Sequence, residues 1–131
     1  MIGIVIVAHG GLAREYLAAM EHVVGVQGGV RAISIEASHD RARKQAEICA
    51  AADAVDSGDG VVIVTDMFGG SPSNLSLPAC LPMHRRILYG VNLPALIKLA
   101  KSRHMALPNA VQAATDSGRK YIDSQNFGTG E

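Results

Sequence analysis

Two short stretches of the 131-residue chain carry side chains able to form and break a covalent bond. In the first, Ala8-His9-Gly10-Gly11, an imidazole directly follows an apolar run. In the second, Asp66-Met67-Phe68-Gly69-Gly70-Ser71-Pro72, a carboxylate precedes two glycines, a hydroxyl and a proline. A carboxylate resting on one ring nitrogen would fix the histidine tautomer, leave the other nitrogen as a nucleophile and stabilise positive charge on the ring. Histidine phosphorylation needs all three. Glycines ahead of a helix start let backbone N–H groups approach an anion closely. Gly69, Gly70 and the Ser71 hydroxyl would then hold phosphoryl oxygens, with Gly10 and Gly11 offering a second cluster of amides.

For His9 and Asp66 to meet, they must leave neighbouring strands at the same edge of one sheet. Ile2 to Ala8 and Val61 to Thr65 are unbroken apolar runs, as expected of strands covered by helices on both faces. Val30 to Ile35 and Arg86 to Val91 read as two further strands. Between them lie helical patterns: Leu12, Tyr16, Met20 and Val23 up to Gly25, then a stripe of Ala42, Ala46, Cys49, Ala52 and Val55 between Asp40 and Ser57. A third helix follows Pro72, and a fourth is capped by Asn92 with Pro94 in its first turn. A last helix opens at Pro108-Asn109 and is expected to bury Ala110, Val111, Ala114, Tyr121 and Ile122. This alternation predicts an α/β three-layer sandwich on a mostly parallel, doubly wound sheet of order 2-1-3-4, with room for an added antiparallel edge strand. Ligands of such sheets sit beyond the carboxyl ends of strands, where the order reverses. His9 and Asp66 both leave strands at that point. Residues 1–124 read as one domain and 125–131 as a frayed tail.

Plainer readings stand beside these. A Gly-Gly turn between strand and helix is common, and an aspartate there can simply cap the turn. Phe68 reads either as core or as an exposed apolar contact beside the site where a partner docks. Arg14 reads as facing solvent rather than phosphate. His22, His39, His84 and His104 read as surface or capping residues, and without HxH or HExxH spacing the chain predicts neither a metal site nor a cofactor. Cys49 and Cys80 lack CxxC spacing and read as reduced bystanders.

The bulk composition narrows the classes further. Twelve basic and twelve acidic side chains cancel, so no long-range field draws the chain to nucleic acid or an anionic membrane. The apolar opening lacks the basic start and the length of a signal sequence, and no run approaches a bilayer span. The expected location is the cytoplasm.

At these residues the chain resembles the IIA component of the mannose family of the bacterial phosphoenolpyruvate-dependent sugar phosphotransferase system. The resemblance rests on Ala8-His9-Gly10, on Val64-Thr65-Asp66-Met67-Phe68-Gly69-Gly70-Ser71-Pro72-Ser73-Asn74, and on Gly90-Val91-Asn92-Leu93-Pro94. It implies that His9 is phosphorylated by the carrier HPr, that Asp66 contacts its ring, and that a IIB component receives the phosphoryl group. It also implies a homodimer that shares a C-terminal strand. The chain departs from familiar members in having Met67 before its aromatic residue, which alters the expected docking surface. It also carries no linker or IIB domain after the last helix, so the acceptor is expected to be a separate chain, or the role to be regulatory. Three rivals remain: the phosphoryl-donor subunit of a dihydroxyacetone kinase system, a small tetrapyrrole metal chelatase, and a module that binds an anion at Gly69-Gly70-Ser71 without covalent chemistry.

Overall fold

The first strand lies inside the sheet, as its unbroken apolar run requires. The computed structural model describes residues 1–67, 69–81 and 84–128. In it β1 (Gly3–His9) pairs in parallel with β2 (Val30–Ile35) on one side and β3 (Val61–Thr65) on the other. β4 (Arg85–Leu88) adds outside β3, giving the order β2-β1-β3-β4, all parallel. No fifth strand occurs among the described residues. Helices α1 (Leu12–Val24), α4 (Leu93–Lys101) and α5 (Leu107–Lys120) cover one face; α2 (Arg41–Val55), α3 (Ser71–Ser76) and a 3₁₀ turn at Leu77–Cys80 cover the other. Side chains of β1 divide between these layers by parity. Ile2, Ile4, Ile6 and Ala8 enter the core with α1, α4 and α5, whereas Val5 and Val7 enter the core with α2 and α3. The three-layer sandwich is therefore built outward from β1.

Several expected faces rotate or shorten. On α1 the buried side is Ala13 and Met20, with Tyr16, Leu17 and Val24 packed against it, while Leu12 and Val23 are exposed. The helix starts straight out of the Gly10-Gly11 turn, and Leu12, its first residue, stays exposed. On α2 the expected stripe fails at Ala42 and Ala46, both exposed; the buried face is Ile48, Ala51, Ala52 and Val55, with Cys49 half-buried. Only the second half of α2 overlies the sheet, and the bulkier Ile48 sets its facing. That close fit depends on Gly3: a Cβ there would collide with the Val55 carbonyl and lie 2.7 Å from Val55 Cγ2.

At the far edge, β4 ends at Leu88 rather than Val91, because Gly90 turns the chain with φ 65°. Val91 remains buried and donates its N–H to the Thr65 carbonyl at 3.1 Å. Asn92 caps α4 by accepting from the Ala95 amide at 3.0 Å, and its own amide donates to the Gly118 carbonyl at 3.0 Å. Gly118 lets α5 lie this close, since a Cβ there would stand 3.0 Å from that of Ala95. α5 stops at Lys120, so Tyr121 and Ile122 are exposed instead of joining the face formed by Ala110, Ala114 and Gly118. The residues that follow, through Gly128, form neither helix nor strand.

Candidate active site

Both candidate stretches emerge at the same end of the sheet. Thr65 pairs with Val7 in the β1–β3 ladder, so His9 and Asp66 leave adjacent strands at the point where the order reverses. Gly10, at φ 56°, turns the chain sharply into α1 and leaves the His9 side chain 48 % exposed, against 11 % for Asp66. An accessible ring is thus paired with a sheltered carboxylate.

The pairing is specific to one oxygen. Asp66 Oδ2 accepts the His9 backbone N–H at 3.1 Å and lies 2.8 Å from His9 Nδ1. A carboxylate oxygen can only accept there, so Nδ1 carries a proton, and the lone pair of the neutral ring is on Nε2. The same oxygen therefore holds both the backbone and the ring of His9. The other oxygen, Oδ1, is buried without a hydrogen-bond partner among the described residues.

Gly70 stands beside the free side of the ring. A Cβ at this position would lie 3.1 Å from His9 Cε1 and 3.4 Å from Nε2. Its φ of −86° is one any residue adopts, so space against the imidazole, not backbone strain, sets the premium on glycine here. Gly69 is different, because its φ of 83° is a left-handed conformation. The Gly69 amide donates to Ser73 Oγ at 3.0 Å, and that hydroxyl donates in turn to the Gly70 carbonyl at 3.0 Å. Pro72, inside the first turn of α3, completes a rigid entry to the helix. Ser71 is half-buried at the head of α3.

The remaining expected contributors are spread around this end or away from it. Gly11 and Arg14 are exposed at the start of α1. His22 is exposed near the end of α1, and His39 accepts the Glu36 amide through Nδ1 at 3.1 Å, ahead of α2. His84 enters β4 at φ 68°, and His104 follows α4; both lie near the opposite, amino-terminal end of the sheet. Met67 is exposed, and Phe68 lies outside the described residues.

Two residues near the site were not marked by sequence pattern. Ser73 appeared only within a motif, although a serine two residues into a helix commonly bonds back to the preceding turn. Tyr16 counted merely as part of an apolar stripe. Its hydroxyl donates to the Val91 carbonyl at 3.0 Å, and burial, followed by the nearby Asp66 charge, raises its pKa above the usual phenol value. A polar tip on a buried helix face that starts at the candidate histidine was the available signal.

Comparison with known proteins identifies the family. Residues 3–115 match the family described as PTS system fructose IIA component, EIIA-man. Over 124 residues the chain is 28 % identical to the PTS system mannose-specific EIIAB component of Escherichia coli (strain K12), covering 92 % of this chain but 38 % of that protein. The crystal structure of phosphotransferase system component EIIA from Streptococcus agalactiae superposes with a TM-score of 0.79 at 26 % identity, covering 95 % of this chain and 97 % of the other. The mannose/sorbose specific IIA subunit of the phosphotransferase system from Enterococcus faecalis shares the fold, with a TM-score of 0.83 at 22 % identity and coverage of 98 % and 97 %. A doubly wound parallel sheet with a histidine and an aspartate at its switch point, matched along most of its length, places this chain in the mannose-type IIA family of the phosphotransferase system.

Proposed function

We propose that the protein is a histidine phosphocarrier: His9 Nε2 accepts a phosphoryl group from phospho-HPr and passes it to a IIB component, in the cytoplasm. The observation that carries this reading is the 2.8 Å contact between His9 Nδ1 and Asp66 Oδ2, which leaves Nε2 as the exposed nucleophile. In the transfer, the bond from phosphorus to the donor breaks as the bond to Nε2 forms. Nδ1 keeps its proton, and the positive charge that develops on the ring is met by Asp66. Gly10, Gly70 and Ser71 are the proposed contacts for the phosphoryl oxygens. Gly69 joins them once its amide exchanges Ser73 Oγ for phosphate, a trade between one neutral acceptor and a charged one that favours the anion.

The same reading includes a homodimer. β4 is an edge strand, and beside it runs a groove of about 350 Å³ lined by Ile87, Leu88, Val91, Ala114 and Ile122. Tyr121, Ile122 and Phe127 are exposed in the segment that follows α5. A second copy supplying that segment to the β4 edge would cover both features. Light scattering on the full chain and on a chain ending at Lys120 measures it, with loss of the dimer in the shorter chain as the expected result.

The principal test is intact mass after incubation with phosphoenolpyruvate, enzyme I and HPr. One acid-labile phosphoryl group is expected on the wild type and none on His9→Ala. Because the His9 side chain is half exposed, the variant should keep its thermal midpoint within a few degrees. Reversible anion binding without any adduct, using partners shown to be active on another IIA protein, would replace the carrier with the anion-binding module.

A further inference from the structure

Asp66 is held from one side only. Oδ2 carries both contacts to His9, while Oδ1 is buried with no partner among the described residues. A sheltered carboxylate oxygen without a donor is costly, so the seating of this carboxylate depends on the elements packed around it as well as on the histidine.

The α1 side of the site supplies a brace. Tyr16 lies on the buried face of α1, and its hydroxyl donates to the Val91 carbonyl at 3.0 Å. The Val91 N–H in turn donates to the Thr65 carbonyl at 3.1 Å, and Thr65 is the last residue of β3, directly before Asp66. An unbroken series of contacts thus runs from the α1 hydroxyl through the exits of β4 and β3 to the carboxylate and the ring. Burial, followed by the nearby Asp66 charge, raises the phenol pKa above its usual value.

We propose that Tyr16 is a positioning residue for phosphoryl transfer: by holding Val91 against the exit of β3, its hydroxyl keeps the Asp66 carboxylate seated on His9 Nδ1. This inference rests on the phosphocarrier reading, but part of it is measurable without any transfer. Tyr16→Phe removes the hydroxyl and keeps the ring that packs in the core. Two-bond ¹H–¹⁵N correlations of the His9 imidazole, recorded where the ring is neutral, are expected to show the Nδ1–H tautomer in the wild type and a shift toward Nε2–H in Tyr16→Phe. Phosphoryl uptake from phosphoramidate, a small donor that needs no protein partner, should slow by about 5- to 10-fold. In an Asp66→Asn background the same substitution should change the rate by less than about 2-fold, because the group it positions is already lost.

An unchanged tautomer and an unchanged uptake rate in Tyr16→Phe would overturn the proposal, even if the variant melts at a lower temperature, since that would leave Tyr16 with packing alone. An equal rate loss in the Asp66→Asn background would overturn it as well. If the wild type takes up no phosphoryl group from either phosphoramidate or phospho-HPr, the carrier reading fails, while the tautomer comparison still decides whether Tyr16 positions Asp66.

Discussion

The two ends of the sheet treat polar groups in opposite ways. At the carboxyl end an exposed imidazole meets a carboxylate with one oxygen satisfied and one without a partner among the described residues. At the amino end two buried arginines act as clamps. Arg103 donates to the carbonyls of Ile2 at 2.7 Å and Gly29 at 3.2 Å and to Gln27 Oε1 at 3.2 Å, tying the chain after α4 to the starts of β1 and β2. Arg85 reaches Asp53 at 2.8 Å, Asp56 at 3.0 Å and the Ala79 carbonyl at 3.0 Å, joining β4 to the end of α2 and to the 3₁₀ turn. Each end has one buried polar atom without a partner among the described residues, Asp66 Oδ1 and Arg85 Nε, but the amino end uses its other charged groups to join elements, whereas the carboxyl end leaves an imidazole half exposed. A residue's effect should therefore depend on its end: changes at the amino end should alter stability and spare chemistry, and changes at the carboxyl end should do the reverse.

That contrast can be broken by experiment. The largest effect is expected from Asp66→Asn, which removes the charge facing the ring while keeping its shape. Phosphoryl uptake should fall by about 10²-fold, with a thermal midpoint close to wild type. Rapid-quench kinetics with phospho-HPr measures it, and an unaltered rate would take Asp66 out of the mechanism. Arg103→Met is the mirror case. It strands acceptors at the starts of β1 and β2 and should cost about 2–3 kcal/mol in urea unfolding, with uptake per folded molecule unchanged. A comparable loss of rate would mean that the two ends are coupled.

Gly70→Ala should be milder, slowing uptake by about 3- to 10-fold, because the new methyl crowds Cε1 and Nε2 without straining the backbone. Stability should hold, and a variant that melts early would show that the turn rather than the ring constrains this position. The smallest effect concerns acid. The Gly58 amide first, and then the Arg85 guanidinium, hold the Asp56 carboxyl below its usual range. A lowered folded pKa means that its stabilisation is present above the unfolded value and lost as pH falls through the folded one. The stability gap between wild type and Asp56→Asn should therefore close on acidification, and a gap that widened would reverse the assignment.

Sequence pattern reached the carboxyl end more surely than the amino end, for physical reasons. Strand order, the meeting of His9 with Asp66 and the Asn92 cap follow from local signals: continuous apolar runs, glycine turns and a capping residue ahead of a proline. The clamps of Arg85 and Arg103 left no such signal, because an arginine that buries itself on carbonyls from distant elements has the same sequence surroundings as one in solvent. The rotated faces of α1 and α2 were hidden for a related reason. Small residues such as Ala42 and Ala46 fit either environment, so where α2 overlies the sheet was decided by Ile48 and by the space left at Gly3. Tyr121 and Ile122 misled in the other direction, since apolar character near a helix end does not tell whether the cover comes from the same chain.

The parity of β1 has a consequence for how such a site can vary. Ile2, Ile4, Ile6 and Ala8 face one layer and Val5 and Val7 the other, so His9 is counted from the strand as surely as it is placed by Asp66. A single inserted residue in β1 would turn the imidazole to the opposite layer, and a double insertion would restore its side but carry it roughly 7 Å farther along the strand. Loops at the opposite end of the sheet can change length without moving this histidine, but the strand beneath it is a ruler whose divisions cannot be added to.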